Sequence, residues 1–203
     1  MPRRLSFIVV AYENPSTLRT CLSSLLDQTM QDFEIIVVDN SIGSAWIDLN
    51  IDLCRMSDRI RYEWTADRTD LVPSDCRHSR CLYTATELGA ELATGEFLCF
   101  PSQDSYYVPV FAERMISAAD RHRCDLIYCG LVHGLPDRHY VPIEPSCCVG
   151  QADKGSFILR RSLFTGFPDK RLDYEKADGL LIERLAQAGV TRRRLDEYLM
   201  FHS

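Results

Sequence analysis

Two short apolar runs decide the fold class of this chain: Leu5–Ala11 (LSFIVVA) and Phe33–Asp39 (FEIIVVD). Both are rich in β-branched residues and almost continuously hydrophobic, which is typical of strands buried on both faces of a parallel sheet. Between them, Pro15 stands at the first turn of a segment in which leucines recur at helical spacing. A strand, a helix and a second strand in the first forty residues predict a βαβ unit with parallel strands and a right-handed crossover.

The same alternation continues along the rest of the chain. The further predicted elements are strands at 59–64, 96–100, 125–129 and 195–201, and helices at 82–92, 109–119 and 173–188. Residues 66–78 and 132–155 interrupt this pattern with prolines, glycines and polar residues, so we expect loops there. The pattern predicts an α/β fold, with a mostly parallel central sheet flanked by helices, in a single domain over residues 1–203.

The composition excludes several classes of protein. Of the 203 residues, 46% are hydrophobic and 26% are charged, which describes a globular chain and neither a disordered nor a fibrous one. The net charge of −6 leaves no basic surplus to neutralise phosphates, so we expect no nucleic-acid partner. No apolar run approaches the ~18 residues of a membrane span. The first apolar stretch is therefore interpreted as a buried strand, and neither a signal peptide nor an integral membrane segment is expected.

The nine cysteines form no CxxC pair, and several lie within apolar segments. Such residues usually behave as small buried apolar side chains, so reduced structural thiols and a cytoplasmic location are expected. The other interpretation is a metal clip formed by Cys76, His78 and Cys81, but that group supplies only three ligands.

Two acidic residues follow predicted parallel strands. Asp39 ends the second strand, and Asp104 comes shortly after the strand at 96–100. Ligands bind beyond the carboxyl ends of the strands in open parallel sheets, so two carboxylates at this edge indicate a binding site. Each aspartate alone could equally be a loop or cap residue.

Seven stretches, spread over nearly the whole chain, carry a resemblance to a known family. They are residues 6–12 (SFIVVAY), 25–28 (LLDQ), 33–41 (FEIIVVDNS), 93–100 (ATGEFLCF), 166–169 (GFPD), 177–189 and 198–202 (YLMFH). In this order they resemble the motifs of family 2 glycosyltransferases with the GT-A fold. The resemblance implies a Rossmann-like nucleotide-binding half at residues 1–105 and an acceptor-side half at 106–203.

The resemblance also implies a reaction and its machinery. A nucleotide-diphosphate sugar would be the donor, an acceptor hydroxyl on a saccharide or other molecule would attack with inversion, and Mg²⁺ or Mn²⁺ would assist the leaving diphosphate. Asp104 and His202 match the metal-binding positions, and Asp178 matches the general base. Asp173 and Glu175 are close enough in sequence to compete for the role of base.

The residues that the resemblance assigns to the nucleotide sugar are Tyr12, Glu13, Asp39, Arg80, Ser102, Gln103 and Asp104. Structural interpretations remain open beside these roles. Tyr12 could cap the first strand, Asp39 could be a turn residue, and Arg80 could be a solvated helix residue. His202 could pack against the sheet edge, and Asp178 could lie on an exposed helical face.

The chain departs from the family pattern at four places. Ser102 replaces the first aspartate of the metal motif, Glu13 replaces an asparagine, Ala177 replaces a glutamate, and Thr86-Glu87 replaces Arg-Asn. The loss at Ser102 favours an alternative function: a catalytically impaired module that binds a nucleotide sugar or a protein partner without turnover. A nucleotidyltransferase is a third hypothesis, weakened because no glycine-rich loop with a lysine follows the first strand.

Overall fold

The computed structural model describes residues 3–65, 77–134, 139–144, 152–168 and 174–202, without the side chains of 77–81 and 174–176. The strands are β1 (Leu5–Ala11), β2 (Phe33–Asp39), β3 (Ile60–Trp64), β4 (Phe97–Cys99), β5 (Ser105–Tyr107), β6 (Leu126–Gly134), β7 (Tyr140–Ile143), β8 (Phe157–Arg160) and β9 (Arg192–His202). The helices are α1 (Pro15–Leu26), α2 (Ser44–Cys54), α3 (Arg77–Leu92), α4 (Phe111–His122) and α5 (Tyr174–Gln187). Short 3-10 turns lie at Lys154–Ser156 and Arg161–Leu163.

The predicted βαβ unit is present at the start of the chain. β1 and β2 pair in parallel over their full lengths, with Leu5 opposite Phe33 and Ala11 opposite Asp39. α1 joins them, and the side chain of Asn14 caps it by accepting a hydrogen bond from the backbone of Thr17. β3 and β4 extend the sheet in parallel on the two sides of this pair.

The second part of the sheet is mixed. In the order β3-β2-β1-β4-β8-β6-β9-β5, β8 runs antiparallel to both of its neighbours, β6 and β9 are parallel, and β5 closes the edge antiparallel to β9. β7 pairs antiparallel with the second part of β6. The predicted α/β class with flanking helices is confirmed, and β6 and β7 occupy part of the segment expected to be irregular.

Two hydrophobic layers cover the sheet because side chains alternate along the buried strands. Phe7 and Val9 face a cluster that includes α1 and α4, whereas Ile8 and Val10 face a cluster that includes α3 and α5. Gly89 lets α3 approach closely, since a Cβ there would lie 2.3 Å from the Ile8 side chain. Within the described part of the chain, no helix is long and apolar enough to cross a membrane.

Candidate functional site

Asp39, at the carboxyl end of β2, is fully buried and accepts hydrogen bonds from three internal donors. One carboxylate oxygen accepts from the backbone of Ser41 at 2.8 Å; the other accepts from the Asn50 amide at 3.0 Å and the Tyr62 hydroxyl at 2.8 Å. Burial and this last bond raise the pKa of Tyr62. Asp39 therefore braces the loop that follows β2, whatever contact it makes with a ligand.

Gln103 links the end of β1 to the loop after β4. Its side-chain oxygen accepts from the backbone N–H of Tyr12 at 2.9 Å, and its side-chain nitrogen donates to the Tyr12 carbonyl at 2.8 Å. Tyr12 is 40% exposed, so its ring is accessible for stacking. The next residue, Glu13, has φ of 37° and donates its N–H to the hydroxyl of Ser41 at 3.0 Å. The ends of β1, β2 and β4 thus form one continuous surface.

A second group of contacts joins three charged residues: Asp104, His202 and Asp153. His202, at the end of β9, places Nδ1 2.8 Å from Asp153 and Nε2 3.4 Å from Asp104. Burial alone lowers the pKa of His202, but the hydrogen bonds to Asp104 and Asp153 raise it more strongly, to about 10. Burial raises the pKa of Asp153, but the hydrogen bond and charge of His202, the Gly155 N–H and the Lys154 charge together outweigh burial and lower that pKa.

Asp104 and His202 bring one oxygen and one nitrogen donor together, as the sequence predicted for a metal site. Both donor types suit Mn²⁺, and Mg²⁺ usually keeps waters and substrate oxygens as further ligands. Among the residues that the structure describes, no group of three or more His, Cys, Asp or Glu side chains could hold a metal ion. The donor set therefore fits a cation shared with a diphosphate, rather than a cation held by the protein alone.

Asp178, the predicted general base, lies on α5 and is only 8% exposed. Its carboxylate accepts from the Tyr83 hydroxyl at 3.3 Å and from the backbone N–H of Lys154 at 3.0 Å. Burial raises the pKa of Asp178 from 3.8 to about 7, with the Lys154 charge opposing the shift and Asp153 adding to it. A carboxyl group with a pKa near neutrality can accept a proton under physiological conditions.

Lys154 connects the charged residues Asp104, His202 and Asp153 with the candidate base, Asp178. The residue is 4% exposed, and its ammonium donates to the carbonyl of Phe100, at the end of β4, at 3.3 Å. Its backbone N–H holds Asp178, and the preceding residue, Asp153, holds His202. The segment 153–154 therefore joins the metal-binding candidates to the candidate base.

Several predicted residues lie where the structure gives no side-chain information. Asp173 is outside the described residues, and the side chains of Arg80 and Glu175 are not described. The metal clip of Cys76, His78 and Cys81 falls in the same undescribed part. Ser102 is half-buried, and its carbonyl accepts a weak hydrogen bond from the thiol of Cys21 at 3.5 Å.

Sequence reasoning missed Asp153, Lys154 and Tyr83. The first two lie in the segment 132–155, which was interpreted as irregular, and Tyr83 lies in a helix without any motif. An adjacent aspartate and lysine just before the apolar run at 157–159 could have indicated a turn that leads into a strand. That pattern alone would not have shown that both residues meet Asp178 and His202.

The sequence comparisons point to one family. Residues 6–64 match the sequence model of glycosyl transferase family 2. The putative glycosyltransferase EpsH of Bacillus subtilis (strain 168) is 29% identical over 125 residues, covering 62% of this chain and 33% of EpsH. The uncharacterized glycosyltransferase EpsJ of the same organism is 27% identical over 139 residues, covering 68% of this chain and 37% of EpsJ. The chain spans about a third of the length of these relatives, and the predicted resemblance is confirmed.

Solved structures share the fold. The crystal structure of residues 1–349 of Staphylococcus aureus TarS superposes with a TM-score of 0.72 at 18% identity, covering 98% of this chain and 60% of that one. The mannosyltransferase PcManGT from Pyrobaculum calidifontis, solved with GDP-Man and Mn²⁺, gives a TM-score of 0.74 at 12% identity, covering 100% of this chain and 57% of that one. The predicted GT-A fold is confirmed.

Proposed function

We propose that this chain, which resembles glycosyl transferase family 2 and has the GT-A fold, is a glycosyltransferase. It would move a sugar from a nucleotide-diphosphate sugar to an acceptor hydroxyl with inversion. The observation that carries this proposal is the burial of Asp178, with a pKa of about 7, beside the segment that holds His202 and Asp104. A proton acceptor and a pair of cation-binding groups in one place are what such a transfer requires.

The donor would bind across the ends of β1, β2 and β4. Tyr12 offers an exposed ring for the nucleobase, and Gln103 holds the backbone of Tyr12 in place. Contacts with the nucleotide sugar stay predicted for five further residues: Glu13, Asp39, Arg80, Ser102 and Asp104. In support, TarS was solved with UDP and with UDP-GlcNAc, and PcManGT with GDP-Man and Mn²⁺.

Asp104 and His202 are the residues we propose to hold Mg²⁺ or Mn²⁺. When bound, the cation would neutralise negative charge that develops on the leaving diphosphate. The Asp104 side chain is about one-third exposed, so part of it remains accessible to a ligand. Ser102 can offer only a hydroxyl or a backbone carbonyl there, so we expect weak cation affinity without nucleotide.

Asp178 would remove the proton from the acceptor hydroxyl as that oxygen bonds to the anomeric carbon. The sugar–phosphate bond breaks at the same carbon, and the nucleoside diphosphate leaves from the opposite face, so the configuration inverts. The Tyr83 hydroxyl and the Lys154 N–H hold the carboxylate in one orientation. Tight positioning of the base lowers the entropic cost of the transfer.

Titration calorimetry with UDP and GDP, with and without Mn²⁺, tests the proposal. One of these nucleotides should bind with a Kd of about 1 mM or lower, and Mn²⁺ should tighten the binding. Asp104→Ala should remove the effect of Mn²⁺. Asp196→Ala is the matched control, because that exposed aspartate forms a surface ion pair with Arg194 and carries the same charge. Failure of the wild type to bind either nucleotide would refute donor binding of these two classes.

The alternative is a module that binds a nucleotide sugar or a protein partner without turnover. Ser102 in place of an aspartate favours it, since the cation site keeps only one carboxylate of the family motif. Binding of a nucleotide sugar by the wild type, with no transfer to water or to any member of a broad saccharide panel, would support this alternative over catalysis.

A further inference from the structure

The two carboxylate oxygens of Asp153 make two different contacts. Oδ1 accepts from the backbone N–H of Gly155 at 2.7 Å and so caps the 3-10 turn at Lys154–Ser156. Oδ2 lies 2.8 Å from Nδ1 of His202. The Asp153 side chain is 19% exposed, so little water competes for either contact.

The contact with His202 determines which ring nitrogen carries the proton. An ionised carboxylate can only accept hydrogen bonds, so Nδ1 of His202 must donate to it. The Asp104 and Asp153 carboxylates favour a ring protonated on both nitrogens, so a cation that binds Nε2 displaces the proton there while Asp153 retains the proton on Nδ1. Nε2 is the nitrogen that faces Asp104, at 3.4 Å.

A second neighbour restricts the ring orientation. His133, opposite His202 in the pairing of β6 with β9, packs edge-to-face against it, with ring centroids 5.5 Å apart and planes at 87°. The His202 ring is therefore held by Asp153 at Nδ1 and by packing against the His133 ring. A ligand that is held in advance loses less side-chain entropy when a cation binds.

We propose that Asp153 is a positioning residue that keeps the His202 proton on Nδ1, so that Nε2 and Asp104 together bind the divalent cation. This inference rests on the proposed function, which assigns that cation to Asp104 and His202. Asp153 itself acts through His202 and touches no substrate.

Two substitutions separate this role from a purely structural one. In Asp153→Asn, the Gly155 N–H needs an acceptor, so the new amide oxygen stays at the cap and the amide NH₂ faces Nδ1. The NH₂ group can only donate, so it favours the ring with hydrogen on Nε2, which cannot bind a cation. Asp153→Ser keeps a cap acceptor but is too short to reach His202, so the ring can adopt either form.

The measurement is Mn²⁺ binding followed by electron paramagnetic resonance of the free ion, with Mn²⁺ alone and with Mn²⁺ plus UDP. Asp153→Asn should raise the Kd for Mn²⁺ by roughly 10- to 100-fold, and Asp153→Ser should raise it less. UDP binding without metal, measured by calorimetry, should stay close to that of the wild type, and far-UV circular dichroism should show that both variants are folded. If Asp153 only supports the fold, the nearly isosteric Asp153→Asn should raise the Kd for Mn²⁺ less than Asp153→Ser does.

Equal Mn²⁺ affinity in wild type and Asp153→Asn, or a weaker affinity in Ser than in Asn, would overturn the inference. Failure of the wild type to bind Mn²⁺ in either condition would overturn it as well, while metal-independent UDP binding would leave donor binding intact. If no nucleotide binds, the proposed function fails. In that case the order of the variants with Mn²⁺ alone still decides the role of Asp153.

Discussion

The carboxyl edge of the sheet is held together in two different ways on its two sides. Beside β2, Asp39 is surrounded by neutral donors from Ser41, Asn50 and Tyr62, all within one short stretch of the chain. On the other side, the charged groups come from widely separated segments; these are Asp104, Asp153, Lys154, Asp178 and His202. The first side is a hydrogen-bonded platform of neutral donors around one carboxylate, whereas the second side is a network of interacting charged groups.

This difference predicts different consequences of mutation. Removing Asp39 leaves buried donors without an acceptor, so stability should suffer. Removing a charge on the second side should instead change proton transfer or cation binding, because neighbouring charges there compensate one another. The predictions below test this contrast.

The largest expected effect is on turnover, at Asp178. Asp178→Asn keeps the size of the side chain and a hydrogen-bond acceptor but loses the basic carboxylate. Turnover should fall by a factor on the order of a hundred or more, with little change in nucleotide-sugar binding. Steady-state rates with an identified acceptor, together with calorimetry on the same variant, measure both quantities. Near-normal turnover would exclude Asp178 as the base and direct attention to Asp173 or Glu175.

The next effect is on stability, at Asp39. Asp39→Ala should lower the free energy of unfolding by ~2 kcal/mol or more, because the Tyr62 hydroxyl loses its acceptor and the Asn50 amide keeps only the Ser41 hydroxyl, at 3.3 Å. Tyr62→Phe is the matched control: it removes one donor and leaves the carboxylate in place, so it should cost about 1 kcal/mol. Urea titrations measure both. A fully stable Asp39→Ala variant would show that the platform does not brace the loop.

A smaller effect is the pH dependence that Asp178 imposes on stability. Its pKa of about 7 in the fold lies above the ordinary 3.8, so the folded chain keeps a proton that the unfolded chain has lost. The stabilisation is therefore complete below about pH 4 and is lost as pH rises through 7, by up to ~1.4 kcal/mol per pH unit. Burial of Asp178 is the main cause of this raised pKa; the Asp153 charge adds to it, and Lys154 and the Tyr83 hydrogen bond oppose it.

Urea titrations of wild type and Asp178→Asn at pH 5, 6, 7 and 8 isolate this contribution. The unfolding free energy of the wild type should fall relative to that of Asp178→Asn as pH rises. The difference between the two should become constant above about pH 7. A difference that is constant with pH would contradict the raised pKa. Turnover of the wild type should rise over the same pH range, because ionisation that destabilises the fold also produces the base.

The smallest expected effect is on the reactivity of the cysteine thiols, which occur in both halves of the chain. Cys21, Cys54 and Cys99 lie in the first half of the chain and Cys124 and Cys129 in the second, and all five are free and buried. Burial raises the pKa of Cys54 and of Cys129 to about 12, so both should react slowly with Ellman's reagent in the native protein. Denatured, freshly purified protein should show close to nine thiols. A deficit of four or more would contradict the predicted reduced state, and with it the prediction of a cytoplasmic location.

The sequence predicted the elements whose partners are close in the chain. β1, α1 and β2 were located because their hydrophobic periods are clear and because each strand is buried on both faces. α2 was missed because its buried face includes Asn50 while Trp46 and Leu49 are exposed, which blurs the helical pattern. β5 and β8 were missed because strands of three or four residues carry almost no periodic signal.

The sequence alone determined the α/β class, the family resemblance and the positions of Asp39 and Asp104 at one edge, because parallel strands connected by helices align their carboxyl ends. Only the tertiary structure brought Asp153 and Lys154 to His202 and Asp178. Those contacts depend on the pairing of β4, β6, β8 and β9, strands far apart in the chain. The protonation of His202 and Asp178 also depends on burial and neighbouring charges, which no local pattern of residues encodes.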